Sequence, residues 1–312
     1  MVSKKLGRPP GWYLDTVRNL VRTTLPPLLG PLTNETAWRY VYGIVMWLEK
    51  ADGVDYLHLQ ESNVLSTKSG KNFADRAANY LRDHLSSLGQ CDPFMIVNHL
   101  GKADDALRLS QGFEPKKRDP NVTGAAFETA VQVLIGELCG ILPTRTPSLR
   151  TLQGFELAPV GYHSKPDLVL FGPRDFRLLI STKWTLRKER IGTYLHEAFF
   201  YKQRRPDLQV AFVVSEFNMN IINWLSQDPL ADRVYHVNKA MLLHLHDPFA
   251  GTDPNEPVKR SVMEGKGFRR WLDVSERVFD LSDLFHDINR LNASPGETVD
   301  PEGDLDTSDG DD

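Results

Sequence analysis

The chain has 312 residues, with 37 Lys and Arg against 41 Asp and Glu, 41% hydrophobic and 25% charged content. This composition is that of an ordinary globular protein of one large or two average domains, and it excludes collagenous and wholly disordered classes. Residues 40–48, the longest apolar run, fall far short of the ~20 residues of a bilayer span. Met1–Pro10 is basic, with no apolar stretch behind it to form a secretory signal. Cys91 and Cys139 alone build neither a disulfide framework nor a multi-cysteine zinc site, so a reduced, cytoplasmic protein without membrane association is expected.

The N-terminal stretch 12–110 reads as mostly helical. Leu14, Val17, Leu20 and Val21 recur at helical spacing, as do Trp38, Val41, Val45 and Leu48, and 73–88 has the look of a surface helix. The Gly-, Pro- and charge-rich segment 111–122 breaks this pattern and marks a connection. A helix follows at 124–140, with Phe127, Val131, Leu134, Ile135 and Leu138 on one stripe and Gly140 as its stop.

From about residue 151 the period shortens. Residues 166–172 and 176–184 are two apolar runs joined by Gly172-Pro173-Arg174-Asp175, which is turn chemistry and predicts a β-hairpin. A helix at about 193–203 leads to 208–217, a continuous apolar run expected of a strand buried on both faces. Residues 233–246 are a further strand candidate, which would set His244 and His246 on one face. No Cys or third His stands near them to complete a zinc site. Trp47, Trp224 and Trp271 sit in apolar runs and are expected in the core. This order predicts an α/β protein in three parts: a helical N-terminal region at 1–115, a core at 116–292 and an acidic tail at 293–312.

The tail holds eight acids and no Lys or Arg follows Arg290, so setting it aside leaves 37 basic against 33 acidic residues. It lacks aromatics and is expected to be disordered. Lys4, Lys5 and Arg8 form a basic N-terminus of the kind that enters DNA minor grooves, although such ends also occur without function.

The predicted hairpin brings chemistry together. A tight turn centred on Asp175 pairs residues whose numbers sum to 350, which sets Asp167 opposite Lys183, with Ser181 on the same face. An acid beside a lysine at strand ends suits phosphodiester cleavage. The carboxylate can hold Mg²⁺, and the lysine can orient water or offset phosphate charge. A metal site calls for a second carboxylate, and Glu197 is the nearest in sequence on the following helix. The same pair also fits an ordinary cross-strand salt bridge.

Pro166-Asp167 followed by Ser181-Thr182-Lys183 resembles the PD-(D/E)xK nuclease motif with serine in place of the middle acid. This is similar to the pattern of the restriction endonucleases that cut around CCGG, in which the missing acid comes from the next helix. Glu197, 14 residues after Lys183, fits that relocation. Arg187, Lys188, Glu189 and Arg190 resemble the R-x-(D/E)-R run that reads bases in that group. Gly124 to Glu128 resembles its G-x-x-F-E helix, whose acid assists metal binding. The likeness spans about residues 124–217.

The resemblance implies an α/β restriction-endonuclease-like core, a mixed β-sheet flanked by helices, beside the N-terminal helical region. Asp167, Lys183, Glu197, Glu128 and Ser181 would be its catalytic residues, with Asp167, Glu197 and Glu128 on Mg²⁺. Arg187, Glu189 and Arg190 would contact double-stranded DNA, and the basic cluster Lys202, Arg204 and Arg205 suits phosphate contacts. The implied function is a type II restriction enzyme acting on a G·C-rich palindrome with a CCGG core, as a homodimer or higher homo-oligomer. A structure-specific repair or junction nuclease, and a DNA-binding module that has lost catalysis, are the alternatives.

Overall fold

The computed structural model describes residues 11–51, 76, 80, 83, 84, 120–158, 166–171, 177–186, 188–250 and 260–293. The basic N-terminus, most of 52–119, the hairpin turn, Arg187 and the acidic tail lie outside the described residues.

Three helices open the described chain: α1 (Trp12–Asn19), continued by a π-helical turn at Leu20–Thr24, then α2 (Pro26–Leu29) and α3 (Ala37–Ala51). The long helix α4 (Pro120–Cys139) follows and packs against α1 and α3. Proline occupies its first position, where a missing N–H leaves no bond unmade. Gly140, at φ 69, ends it in the left-handed conformation that glycine adopts without strain.

Among the described residues six strands form one sheet in sequence order: β1 (Thr144–Arg145), β2 (Leu168–Phe171), β3 (Arg177–Lys183), β4 (Gln209–Val214), β5 (Arg233–His236) and β6 (Val278–Asp280). Strand β2 runs antiparallel to both β1 and β3, and β3 to β6 run parallel, so the sheet is mixed. Parallel neighbours need long crossovers. These are α5 (Lys188–Arg204) from β3 to β4 and α6 (Met219–Gln227) from β4 to β5. From β5 to β6 the chain passes through α7 (Lys239–Leu245), α8 (Arg260–Met263) and α9 (Lys266–Arg277). Helix α10 (Leu281–Asn292) closes the described chain, fixed at its start by an Asp280/Asp283 capping box. The protein is α/β, with helices flanking a mixed sheet. Among the described residues no helix is long and apolar enough to cross a membrane.

Burial explains the strand sequences. Leu168, Leu170, Leu178 and Ile180 enter the main core, which extends from Val17 on α1 to Ile288 on α10. Val169 and Leu179 point the other way into a smaller cluster with Leu149, Phe155, Tyr201 and Leu208. Both faces of this hairpin are therefore covered, which is why its strands read as continuous apolar runs. Ser181 and Lys183 follow Leu179 at the two-residue period and share its face at the open end.

Three expectations change. The stretch 233–246 is a strand only to His236. The Asn238 side chain then accepts from the Met241 N–H and starts α7, an N-cap that the periodicity did not reveal. His244 consequently lies on a helix and not on a strand face. The helix expected at 193–203 begins at Lys188, so Lys188, Glu189 and Arg190 form its first turn. Trp47 and Trp224 are 40% and 47% exposed rather than core.

Candidate active site

The observed register pairs Leu168 with Ile180, numbers that sum to 348 rather than 350. Continued by one residue, it sets Asp167 opposite Ser181, with Lys183 on the diagonal. A slip of two preserves the face, and a lysine is long enough to span the diagonal. Lys183 Nζ lies 2.5 Å from Asp167 Oδ2. The same oxygen accepts from the Thr182 N–H at 2.8 Å and from the Ser181 hydroxyl at 3.4 Å. The pair is sheltered but open to solvent, at 22% side-chain exposure for Asp167 and 15% for Lys183. Lys183 Nζ also sits 4.9 Å from the centre of the Tyr194 ring of α5, a cation–π contact.

The backbone of Asp167 is held as well. Its carbonyl accepts from the Thr146 N–H at 2.8 Å. Thr146 adopts φ 40, a left-handed conformation that costs a β-branched residue free energy. Strain of this kind beside an acid–lysine pair is what a site fixed for function would carry.

Helix α4 brings Glu128 to the same end of the sheet. Its carboxyl pairs with Arg145 of β1 at 2.7 Å, and Arg145 in turn stands opposite Leu168, one residue from Asp167. Burial pushes the Glu128 carboxyl above its usual range, and the Arg145 guanidinium opposes that. The negative charge of Asp167 raises it further and the Lys183 ammonium lowers it, so all four groups share one electrostatic neighbourhood. Glu197 is half-buried on α5 one helical turn after Tyr194, on a neighbouring part of the same helix face.

Among the described residues no group of three or more His, Cys, Asp and Glu gathers closely enough to cage a metal ion. The donor set instead suits Mg²⁺, a hard cation usually held by one or two carboxylates while water and substrate phosphate fill the remaining positions. Asp167 and Glu128, the second a carboxyl group that burial and the nearby Asp167 charge push up, are the residues that would hold it.

The proposed DNA contacts divide. Lys188, Glu189 and Arg190 are exposed at the start of α5. Lys202, by contrast, pairs with Asp232 at 2.5 Å, and Asp232 also accepts from the Val210 N–H of β4. Arg204 lies over the Phe200 ring at 4.8 Å. Arg205 binds Asp207 and the Gln153 carbonyl and runs so close over Gly154 that a Cβ there would meet its side chain at 2.4 Å. Two members of that basic cluster thus clamp neighbouring segments.

Sequence reasoning missed Arg145 and Glu216. The first was implied by Glu128, an acid at the margin of an apolar stripe that needs a partner. The second stands just beyond the buried run of β4, at the carboxyl end of a parallel strand, where α/β proteins assemble their sites.

No protein-family model and no curated protein matches the chain. Among solved structures it is similar to one described as a complex of the restriction endonuclease PspGI with substrate DNA. That likeness has a TM-score of 0.46 and 16% sequence identity, covering 89% of this chain and 92% of the other.

Proposed function

We propose that the protein is a Mg²⁺-dependent, site-specific endonuclease that hydrolyses double-stranded DNA. The observation that carries this reading is the contact of Lys183 with Asp167 across the open end of the β2–β3 hairpin, with Glu128 arriving from α4 beside them. Bound Mg²⁺ would lower the pKa of a coordinated water and offset charge on the scissile phosphate. Asp167 and Glu128 supply the anionic oxygens, and Glu197, a turn beyond Tyr194, is the third acid in this reading. Lys183 presents an ammonium group to the phosphate or the attacking water, while Tyr194 and Asp167 hold it in place. Ser181 adds a long hydroxyl contact to Asp167, the least of its three bonds.

Recognition falls to Arg187, Glu189 and Arg190. Arginine bonds guanine O6 and N7 bidentately in the major groove, and a carboxylate accepts from cytosine N4. These are the groups required for a G·C-rich palindrome with a CCGG core. A palindrome is cut on both strands, so the economical assembly is a two-fold homodimer. The reading places the protein in the cytoplasm.

Digestion of a plasmid of known sequence, with Mg²⁺ and with the metal chelated, tests this reading. Discrete fragments whose ends all map to one G·C-rich palindrome, and only with Mg²⁺ present, are expected. Cleavage confined to branched DNA would mark a junction nuclease, and binding without cleavage would mark an inactive DNA-binding module.

A further inference from the structure

The carboxyl ends of the parallel strands carry a buried acid that the cleavage chemistry does not use. Glu216, two residues past β4, is 2% exposed. Its Oε1 accepts from the N–H groups of Phe217 and Asn218 at 2.9 and 2.7 Å, bonds local to its own turn. Its Oε2 accepts from the N–H of Leu186 at 3.0 Å, which lies across the sheet between β3 and α5.

The turn that bears this acid is held from behind. His236 Nε2 donates to the Glu216 carbonyl at 2.7 Å while its Nδ1 accepts from the Asn238 N–H at 3.0 Å. His246 Nε2 donates to the Phe217 carbonyl at 2.7 Å. The linked stretch is also fixed from the front. The Ser215 N–H donates to the Lys183 carbonyl at 3.2 Å, and Trp184 packs edge-on against Tyr42 and Phe127 at 5.7 and 5.2 Å.

Burying a carboxyl group is unfavourable unless its oxygens are hydrogen-bonded, and an apolar side chain would fill the same space without that penalty. What the carboxyl group adds is a fixed distance between the end of β4 and Leu186. Leu186 stands three residues after Lys183 and two before Lys188, where α5 starts.

We propose that Glu216 is a positioning residue: through Leu186 it sets where α5 begins relative to Lys183, and so aligns the cleaving pair with the base-reading turn. This rests on the nuclease reading above. A base contact must be placed to within a fraction of an ångström to discriminate, so loss of the anchor should cost discrimination more than binding.

The test uses the full chain with Glu216→Gln, Glu216→Asp and Leu225→Ala. The glutamine keeps its oxygen on the Phe217 and Asn218 N–H groups and turns its NH₂ toward the single Leu186 N–H, which loses its acceptor. The aspartate keeps both oxygens but withdraws them by one methylene, so the local bonds survive and Leu186 is released. Leu225, fully buried on α6, is a core truncation that lowers stability without touching the anchor. The readouts are amide hydrogen exchange at Leu186, and the ratio of cleavage rates on the enzyme's own site and on singly substituted sites. Each variant is compared at the same interval below its melting midpoint. Both Glu216 variants should exchange at Leu186 at least tenfold faster and lose at least tenfold in the ratio, while Leu225→Ala keeps the wild-type ratio. An unchanged ratio in both Glu216 variants, or an equal fall in Leu225→Ala, overturns the proposal. A wild-type chain that cuts no DNA overturns the nuclease reading instead, and exchange at Leu186 then still decides whether Glu216 holds that stretch.

Discussion

Asp167 Oδ2 gathers an ammonium, a backbone N–H and a hydroxyl, but the three bonds are not of equal weight. The Lys183 contact is charge-assisted and short, whereas Ser181 reaches the oxygen at 3.4 Å, near the limit of a useful bond. Serine therefore contributes little here that another residue could not, and in the proposed site the anionic ligand it cannot supply falls to Glu197. Glu197→Ala should lower cleavage by about 100-fold or more, and Ser181→Ala by less than about tenfold. Single-turnover rates on one duplex at saturating Mg²⁺ check this, and the reverse ranking would take Glu197 out of the site. A second residue-scale consequence concerns His236. Burial pushes its imidazole down to about 4, and the Asn238 N–H occupies the nitrogen that protonation would need. The unfolded chain binds this proton near pH 6.5 and the folded one does not until about pH 4. The contribution is thus intact above pH 6.5 and is lost as pH falls toward 4. Urea unfolding at pH 5 against pH 7.5 should show about 2 kcal/mol of lost stability that is absent in His236→Gln. An equal loss in the variant would mean that other groups carry it. None of this was legible at His236, because its partners are backbone groups brought in by β4 and α7.

At the scale of elements, the hairpin and the helix after it were readable because their signals are local. Gly172-Pro173 marks the turn, and two covered faces give continuous apolar strands. The register was not readable to the residue. Every pair is shifted by two from the expected sum, and the face survived only because the shift was even. The strand–helix switch at Asn238 failed for a related reason, since an N-cap works through one side-chain bond and leaves no periodicity. Charge is the other element-level lesson. Lys188, Glu189 and Arg190 are exposed in the first turn of α5, whereas Lys202 and Arg205 are tied to Asp232 and Asp207 at its far end. Arg190→Ala should reduce the salt slope of DNA binding by about one if it meets phosphate, or relax base preference by about 1–3 kcal/mol if it meets guanine. Lys202→Ala and Arg205→Ala should leave that slope unchanged and cost up to about 1 kcal/mol of stability. Binding titrations across salt concentrations, paired with urea melts, separate the two groups. A full unit of slope lost in Lys202→Ala would return that residue to the interface.

Over the whole molecule, the N-terminal helices and the sheet share one core, from Val17 to Ile288. The periodicity of α1, α3 and α4 was visible in the sequence, but their packing onto a sheet that starts at Thr144 depends on contacts far apart in the chain. That packing assembles the candidate site. Helix α4 carries Glu128 to the strand ends where Asp167 and Lys183 meet, so the candidate site draws on two helices and a hairpin distant in sequence. The central claim is that this meeting point cuts DNA, and it separates chemistry from binding, because the first turn of α5, the proposed base contact, is a different element. The most direct measurement compares cleavage and binding of one duplex by the wild type, Asp167→Ala and Lys183→Ala in Mg²⁺. Both variants should cut at least about 100-fold more slowly while binding within a few-fold of wild type. Near-normal cleavage by Lys183→Ala would contradict the account.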